Sequence, residues 1–142
     1  MMEDIMLKHS SSTYVNDYLT WFANGIVAKQ VGEVLELTLP FLDRHRDQLQ
    51  IYLQAQGEKY VLSDDGYTLA DLRQSGVDME TQDNKISLTT LLERFGVTRS
   101  GNELRIETTA KEVSQAQHNL IQAVLALNGW GTSLYNKKLS QI

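Results

Sequence analysis

Two short runs of the chain hold side chains whose types could do chemistry together: Asp43, His45 and Asp47 in one, Asp64 and Asp65 in the other, with Tyr67 directly behind. Carboxylates and an imidazole converging on one edge suit a hard divalent ion, acid–base work, or a basic partner surface. The same residues also have a plainer reading. Asp64-Asp65-Gly66 is turn chemistry in its own right, because aspartate side chains accept from nearby backbone amides. Arg44 and Arg46 can pair with the neighbouring aspartates, and Asp43 can cap the turn that follows Pro40. Ion-pair networks of this kind often imitate active sites.

Specific catalytic templates each lack a part. A metal-dependent nuclease of the restriction type wants an acidic residue followed, on the next strand, by acid–X–lysine. The strand available reads Gln50-Ile51-Tyr52 and has no lysine. His9, His45 and His118 have no metal-ligand spacing. No serine sits in a nucleophile elbow, and the glycines form neither a dinucleotide fingerprint nor a P-loop. The chain has no cysteine, which removes disulfides, thiol catalysis and iron–sulfur ligation. No catalytic residue is assigned and no cofactor is expected; whether the acidic edge takes a metal stays open. The residues expected to form a binding edge are Asp43, His45, Asp47, Asp64, Asp65 and Tyr67.

The elements that must bring these runs together are legible from periodicity. Val15, Tyr18, Leu19, Phe22, Ile26 and Val27 recur at three- and four-residue spacing and predict a helix over 12–30 ending at Gly32. Tyr14 and Trp21 lie off that stripe. Leu35, Leu37 and Leu39 then alternate with Val34, Glu36 and Thr38 in a strand that stops at Pro40. A second strand follows at 48–54 and a third at Tyr60 to Leu62, joined by a turn at Gly57. In such a meander the connector 41–47 and the exit 63–66 share one edge. If no helix covers it, the face of Gln48, Gln50, Tyr52 and Gln54 is a polar-aromatic surface suited to recognition.

Thr68 and Asp71 have capping-box spacing for a short helix over 68–75, and Ser87 or Thr89 starts another that closes at Gly96. A hairpin over 97–107 turns at 100–102 with Leu104 and Ile106 inward. A last helix over 109–128 stops at Asn128-Gly129. The expected class is α+β: a small, mostly antiparallel sheet, a three-stranded meander plus a small hairpin, flanked by two long helices and shorter ones. One domain over 1–142 is expected, with 1–10 and 131–142 peripheral.

Composition narrows the partners. The chain has a net charge of −5, and its middle, residues 33–93, holds 12 acidic and 5 basic side chains. That field argues against general nucleic-acid binding. With acidic residues near the N-terminus and no long apolar run, neither a secretion signal nor a membrane span is expected, and the location is read as cytoplasmic.

The run Leu39-Pro40-Phe41-Leu42-Asp43-Arg44-His45-Arg46-Asp47 is followed by Gln50-Ile51-Tyr52 and by Tyr60-Val61-Leu62-Ser63-Asp64-Asp65-Gly66-Tyr67-Thr68. Asp71-Leu72 and Ser75-Gly76 come next. Together these resemble an uncharacterised prokaryotic family, domain of unknown function eighteen twenty-eight. The likeness continues through Leu92 to Gly96 and His118 to Val124, covering the chain from about Trp21 to Asn128. The resemblance implies a bacterial or phage origin, often in mobile elements, and no established activity. Longer relatives carry a second domain that is not in this sequence.

The expectation is therefore a non-enzymatic accessory protein of a phage or mobile element. It would bind a host or self protein and act as an inhibitor of a host defence complex such as a CRISPR nuclease. The alternative is a metal-dependent phosphodiesterase or nuclease-like enzyme using Asp43, Asp47, Asp64 and Asp65, with His45 as base. A homodimer follows if Trp21 and the long helices expose an apolar stripe.

Overall fold

The computed structural model describes residues 6–141. In chain order the elements are α1 (Ser11–Asn24), β1 (Val27–Val31), β2 (Val34–Leu42), β3 (Gln48–Gln56), β4 (Lys59–Ser63), α2 (Tyr67–Gln74), α3 (Gln82–Arg94), β5 (Thr98–Ser100), β6 (Glu103–Thr108) and α4 (Val113–Leu139). The class is α+β, as the periodicities predict. The sheet is larger than predicted: six strands in the order β1-β2-β3-β4-β6-β5, every neighbouring pair antiparallel.

The meander and the hairpin join in one sheet, and the sixth strand is β1. β6 pairs along β4, with Leu62 opposite Ile106, because a lone two-stranded hairpin could not cover Leu104 and Ile106 by itself. The strand β1 replaces what periodicity predicts as the end of the first helix. Gly25 ends α1 beside Pro40, where an added Cβ would stand 3.0 Å from the proline Cβ. The β-branched Ile26, Val27 and Val31 then favour an extended chain, and Gly32, at a φ of +62°, turns it into β2. Pro40 does not end β2. The strand continues to Leu42 through a register shift between Leu39 and Leu42, which absorbs the missing N–H.

One face of the sheet carries the core. Leu37, Leu39, Leu49, Ile51, Leu62, Leu104 and Ile106 pack with Leu69 and Leu72 of α2, Leu88 and Leu92 of α3, and Leu120, Ile121, Val124 and Leu127 of α4. The period-two reading therefore picks the correct inward residues. Each fully buried leucine or isoleucine contributes about 1.5–3 kcal/mol. The opposite face, with Gln48 and Gln50 exposed and Tyr52 and Gln54 half-buried, is the polar-aromatic surface expected there.

Four local expectations are corrected. α3 begins at Gln82 rather than near Ser87, because Thr81 caps it by accepting from the Asn84 N–H. The Thr68–Asp71 capping box does not form: α2 has no side-chain cap at Gly66, and Asp64 accepts the Thr68 N–H instead. α4 runs through Asn128-Gly129 to Leu139. Gly131 is buried against Leu72, whose Cδ2 occupies the space a Cβ would need, so this glycine permits close packing and does not end the helix. Finally, two long helices do not flank the sheet. α1 has no buried residue among the described ones, and it meets the sheet at its C-terminal end, where Phe22 packs on Phe41 with ring centroids 5.6 Å apart and Gly25 lies against Pro40. Of the N-terminal stretch read as peripheral, residues 1–5 lie outside the described residues and 6–10 are exposed. Among the described residues, no helix is long and apolar enough to cross a membrane.

Candidate functional site

The β2–β3 connection, residues 43–47, and the exit of β4 at Asp64-Asp65-Gly66 do share one end of the sheet. They line a cleft of about 520 Å³, completed by α2 and α4. Its acidic wall is Asp43, Asp47, Asp64, Asp65 and Asp71. Tyr52 and Tyr67 flank it, Gln48, Gln50, Thr68 and Asn128 add amide and hydroxyl groups, and Leu49, Ala70 and Val124 give it carbon surface. Five of the six residues expected at a binding edge are here. His45 is close by but does not line the cleft.

The aspartates divide into two kinds by what their oxygens already hold. Asp64 is buried, and its carboxylate accepts the N–H groups of Gly66 (2.9 Å), Thr68 (3.1 Å) and Leu104 (3.0 Å). It joins the β4 exit, the start of α2 and β6, which is why a carboxylate is tolerated there. One Asp43 oxygen accepts from His45 (2.8 Å) and Asp47 (3.0 Å), closing the tight loop in which Arg46 takes a φ of +66°. By contrast, Asp47 and Asp65 are exposed, and neither carboxylate has a hydrogen-bond partner among the described residues. Asp65 holds its place through the backbone: its N–H donates to Ser63 Oγ, at a φ of +59°.

Asp71 has a different task. Its carboxylate receives Arg44 Nε at 2.8 Å on one oxygen and stands 2.8 Å from His45 Nε2 on the other. The Arg44 guanidinium also donates to the Asp71 carbonyl (3.2 Å) and to Ser75 Oγ, and the Arg44 N–H donates to Asn128 Oδ1 at 3.0 Å. One arginine therefore ties the β2–β3 loop to α2, and through its backbone to α4. Burial pushes the Asp71 carboxyl up, but the hydrogen bonds and charges of Arg44 and His45 outweigh it and hold it below its ordinary value. The Tyr67 phenol is raised, first by burial and then by the negative charges of Asp71, Asp43 and Asp47. Tyr52 is raised likewise, by burial and then by Glu36, Asp65 and Asp64. At both tyrosines the nearby carboxylates add to the effect of burial.

What this can do chemically is bounded by the geometry. His45 and Asp71 form an imidazole–carboxylate pair, but among the described residues no hydroxyl bonds to the ring to serve as a nucleophile. Among the described residues no group of three or more His, Cys, Asp or Glu side chains stands close enough to hold a metal ion. The other histidines lie apart: His9 packs against Tyr14, and His118 is exposed on α4 beside Gln122. Sequence reasoning missed Asp71 and Asn128 as parts of the cleft, having assigned one to a helix cap and the other to a helix stop. Their partner Arg44 is 27 and 84 positions away, so no short-range pattern could have paired them.

No curated protein and no solved structure matches this chain. A family model does match, over residues 39–127, a stretch that holds every cleft residue except Asn128. That stretch covers more than half the chain and includes the motif runs around Asp43, Asp64 and Asp71, so the protein belongs to the family described as Domain of unknown function DUF1828.

Proposed function

We propose that the chain is a non-enzymatic protein-binding module whose acidic cleft receives a basic side chain of its partner. The observation that carries this reading is the division of the aspartates. Asp43, Asp64 and Asp71 hold the site's shape, while Asp47 and Asp65 present carboxylates with no hydrogen-bond partner among the described residues, beside exposed Tyr67 and Gln50. An arginine or lysine suits such a place. Its aliphatic stem lies along Leu49, Ala70 and Val124, and its charged head meets the free carboxylates and the tyrosine faces. In biological terms the reading is an accessory protein of a phage or mobile element that occupies a host protein, with a defence complex such as a CRISPR nuclease as the target class. The phosphodiesterase reading of Asp43, Asp47, Asp64 and Asp65 has no comparable support, because the first and third already serve backbone amides.

The experiment is affinity capture from a host lysate, with the wild-type chain beside Asp47→Lys/Asp65→Asn. The expected result is a stoichiometric protein partner that the variant loses while its melting temperature is kept. Retention of the same partner by the variant would remove the cleft from the proposal. Magnesium- or manganese-dependent cleavage of nucleic acid, abolished by Asp47→Ala, would replace it with the enzyme.

A further inference from the structure

The helix α1 is amphipathic, yet among the described residues none of its own is buried. Val15, Tyr18, Leu19 and Phe22 fall on one side of it with Tyr14 and Trp21 along the margin, and Phe22, near its end, packs on the body against Phe41. The remainder of that arc stands clear: Val15 is 57%, Tyr18 60%, Leu19 56% and Trp21 62% exposed. Tyr18 and Trp21 stack with their planes 14° apart, so the surface is already ordered. The close fit of Gly25 on Pro40 and the Phe22–Phe41 contact hold the helix as a fixed arm.

We infer that α1 is the contact face of a homodimer, packing across a two-fold axis on α1 of a second copy. Area is the first argument. With about 200 Å² for each fully buried aromatic and rather less for valine and leucine, the exposed fractions amount to roughly 500 Å² of apolar side chain per copy. Two copies bury about 1,000 Å², the size at which specific interfaces begin. Charge is the second. The chain is acidic overall, with a net charge of −5, yet α1 has a single charged residue, Asp17, off the apolar arc. This is a patch on which two copies meet without repulsion, and an uncharged arc is self-complementary across a two-fold. A basic partner would gain nothing from it. A lipid surface is also a poor occupant, since α1 carries no lysine or arginine to face headgroups. Pairing through the neighbouring edge strand β1 is opposed by Lys29 at its centre, which would face its own copy in the symmetric register.

Sedimentation equilibrium of the full chain at micromolar concentration tests this. The expected mass is twice the 16.1 kDa of the protomer. Tyr18→Glu and Leu19→Asp are expected to weaken association by about 100-fold or more, the effect of removing central anchor residues. Both positions are exposed and outside the core, so their melting temperatures should stay near that of the wild type, and Ile86→Asp, an exposed apolar position on α3, should leave the dimer intact. A monomeric wild type, a dimer that survives Leu19→Asp, or a dimer that Ile86→Asp dissolves would each overturn the inference. So would a monomer that co-sediments with phosphatidylcholine vesicles, since the face would then belong to lipid.

Discussion

Two glycines in α4 with a single residue between them, Gly129 and Gly131, should respond to alanine in opposite directions. Gly129 is exposed and a Cβ there would meet nothing within 4 Å. Alanine in an exposed helix interior is worth about 0.8–1 kcal/mol over glycine, so Gly129→Ala should stabilise the protein by nearly that amount. For a domain of this size that is a rise of roughly 3 °C in melting temperature. Gly131 gains the same propensity term but meets Leu72. An added Cβ would overlap Leu72 Cδ2, with Cγ at 3.4 Å and Cδ1 at 3.6 Å, and Leu72 is itself buried in the core. Overpacking of this kind costs about 1–3 kcal/mol, and the leucine has no solvent-facing escape. Gly131→Ala should therefore destabilise by about 1–2 kcal/mol net.

Urea unfolding followed by circular dichroism, with both single variants and the pair Leu72→Ala/Gly131→Ala, supplies the measurement. Leu72→Ala alone should cost about 2–5 kcal/mol. The double variant should fall short of the sum by at least about 1 kcal/mol, because each change relieves the other's misfit. If both glycine variants stabilise equally and the pair is additive, then α4 does not pass Leu72 at close range. In that case both glycines lie in a helix, but the close packing of α2 on α4 at Gly131 is wrong.

Two further outcomes concern the cleft. Because Asp71 sits below its ordinary pKa when folded, its contribution is fully present above the unfolded value and is lost as pH falls through the folded one. Asp71→Asn should therefore flatten the acid limb of the stability curve below about pH 4, and an unchanged acid limb would contradict the role given to Arg44 and His45. Asp64→Ala leaves three backbone N–H groups without an acceptor and should cost about 2–4 kcal/mol in chemical denaturation. Asp65→Asn, which tolerates the positive φ, should stay within about 0.5 kcal/mol of wild type. Equal losses at both positions would dissolve the distinction between structural and free carboxylates.

How much of this was legible in the sequence depends on range. The alternation of Leu35, Leu37 and Leu39 with polar residues, and of Leu49, Ile51 and Leu53 with glutamines, predicts strands and their inward faces, because period two is a local property. The convergence of Asp43 and Asp64 at one edge follows from the short connections of a meander. The strand β1 was illegible because Ile26 and Val27 continue the three–four spacing of α1 by coincidence; the decisive contact, Gly25 against Pro40, is tertiary. The stop read at Asn128-Gly129 failed for the same reason: what accompanies α4 past it, Gly131 against Leu72, is a tertiary contact. Thr81 caps α3 well ahead of Ile86, Leu88, Leu91 and Leu92, so the apolar periodicity marks the body of that helix and not its start.

The residues on which the family resemblance rests now have physical work assigned to them, and most of it is joining. Asp43 closes a loop, Asp64 gathers three amides, and Asp71 and Ser75 receive Arg44. These are long-range fastenings between the β2–β3 loop, the β4 exit and α2, so a chain that kept them would keep the shape of the cleft whatever the cleft contacts. A resemblance built on such residues speaks for the fold more than for any reaction. On the protein-binding reading proposed above, specificity comes from exposed cleft side chains that fasten nothing, among them Asp47, Asp65 and Tyr67. On that reading, exchanging those three within a cleft framed by the fixed aspartates would alter the partner without altering the fold.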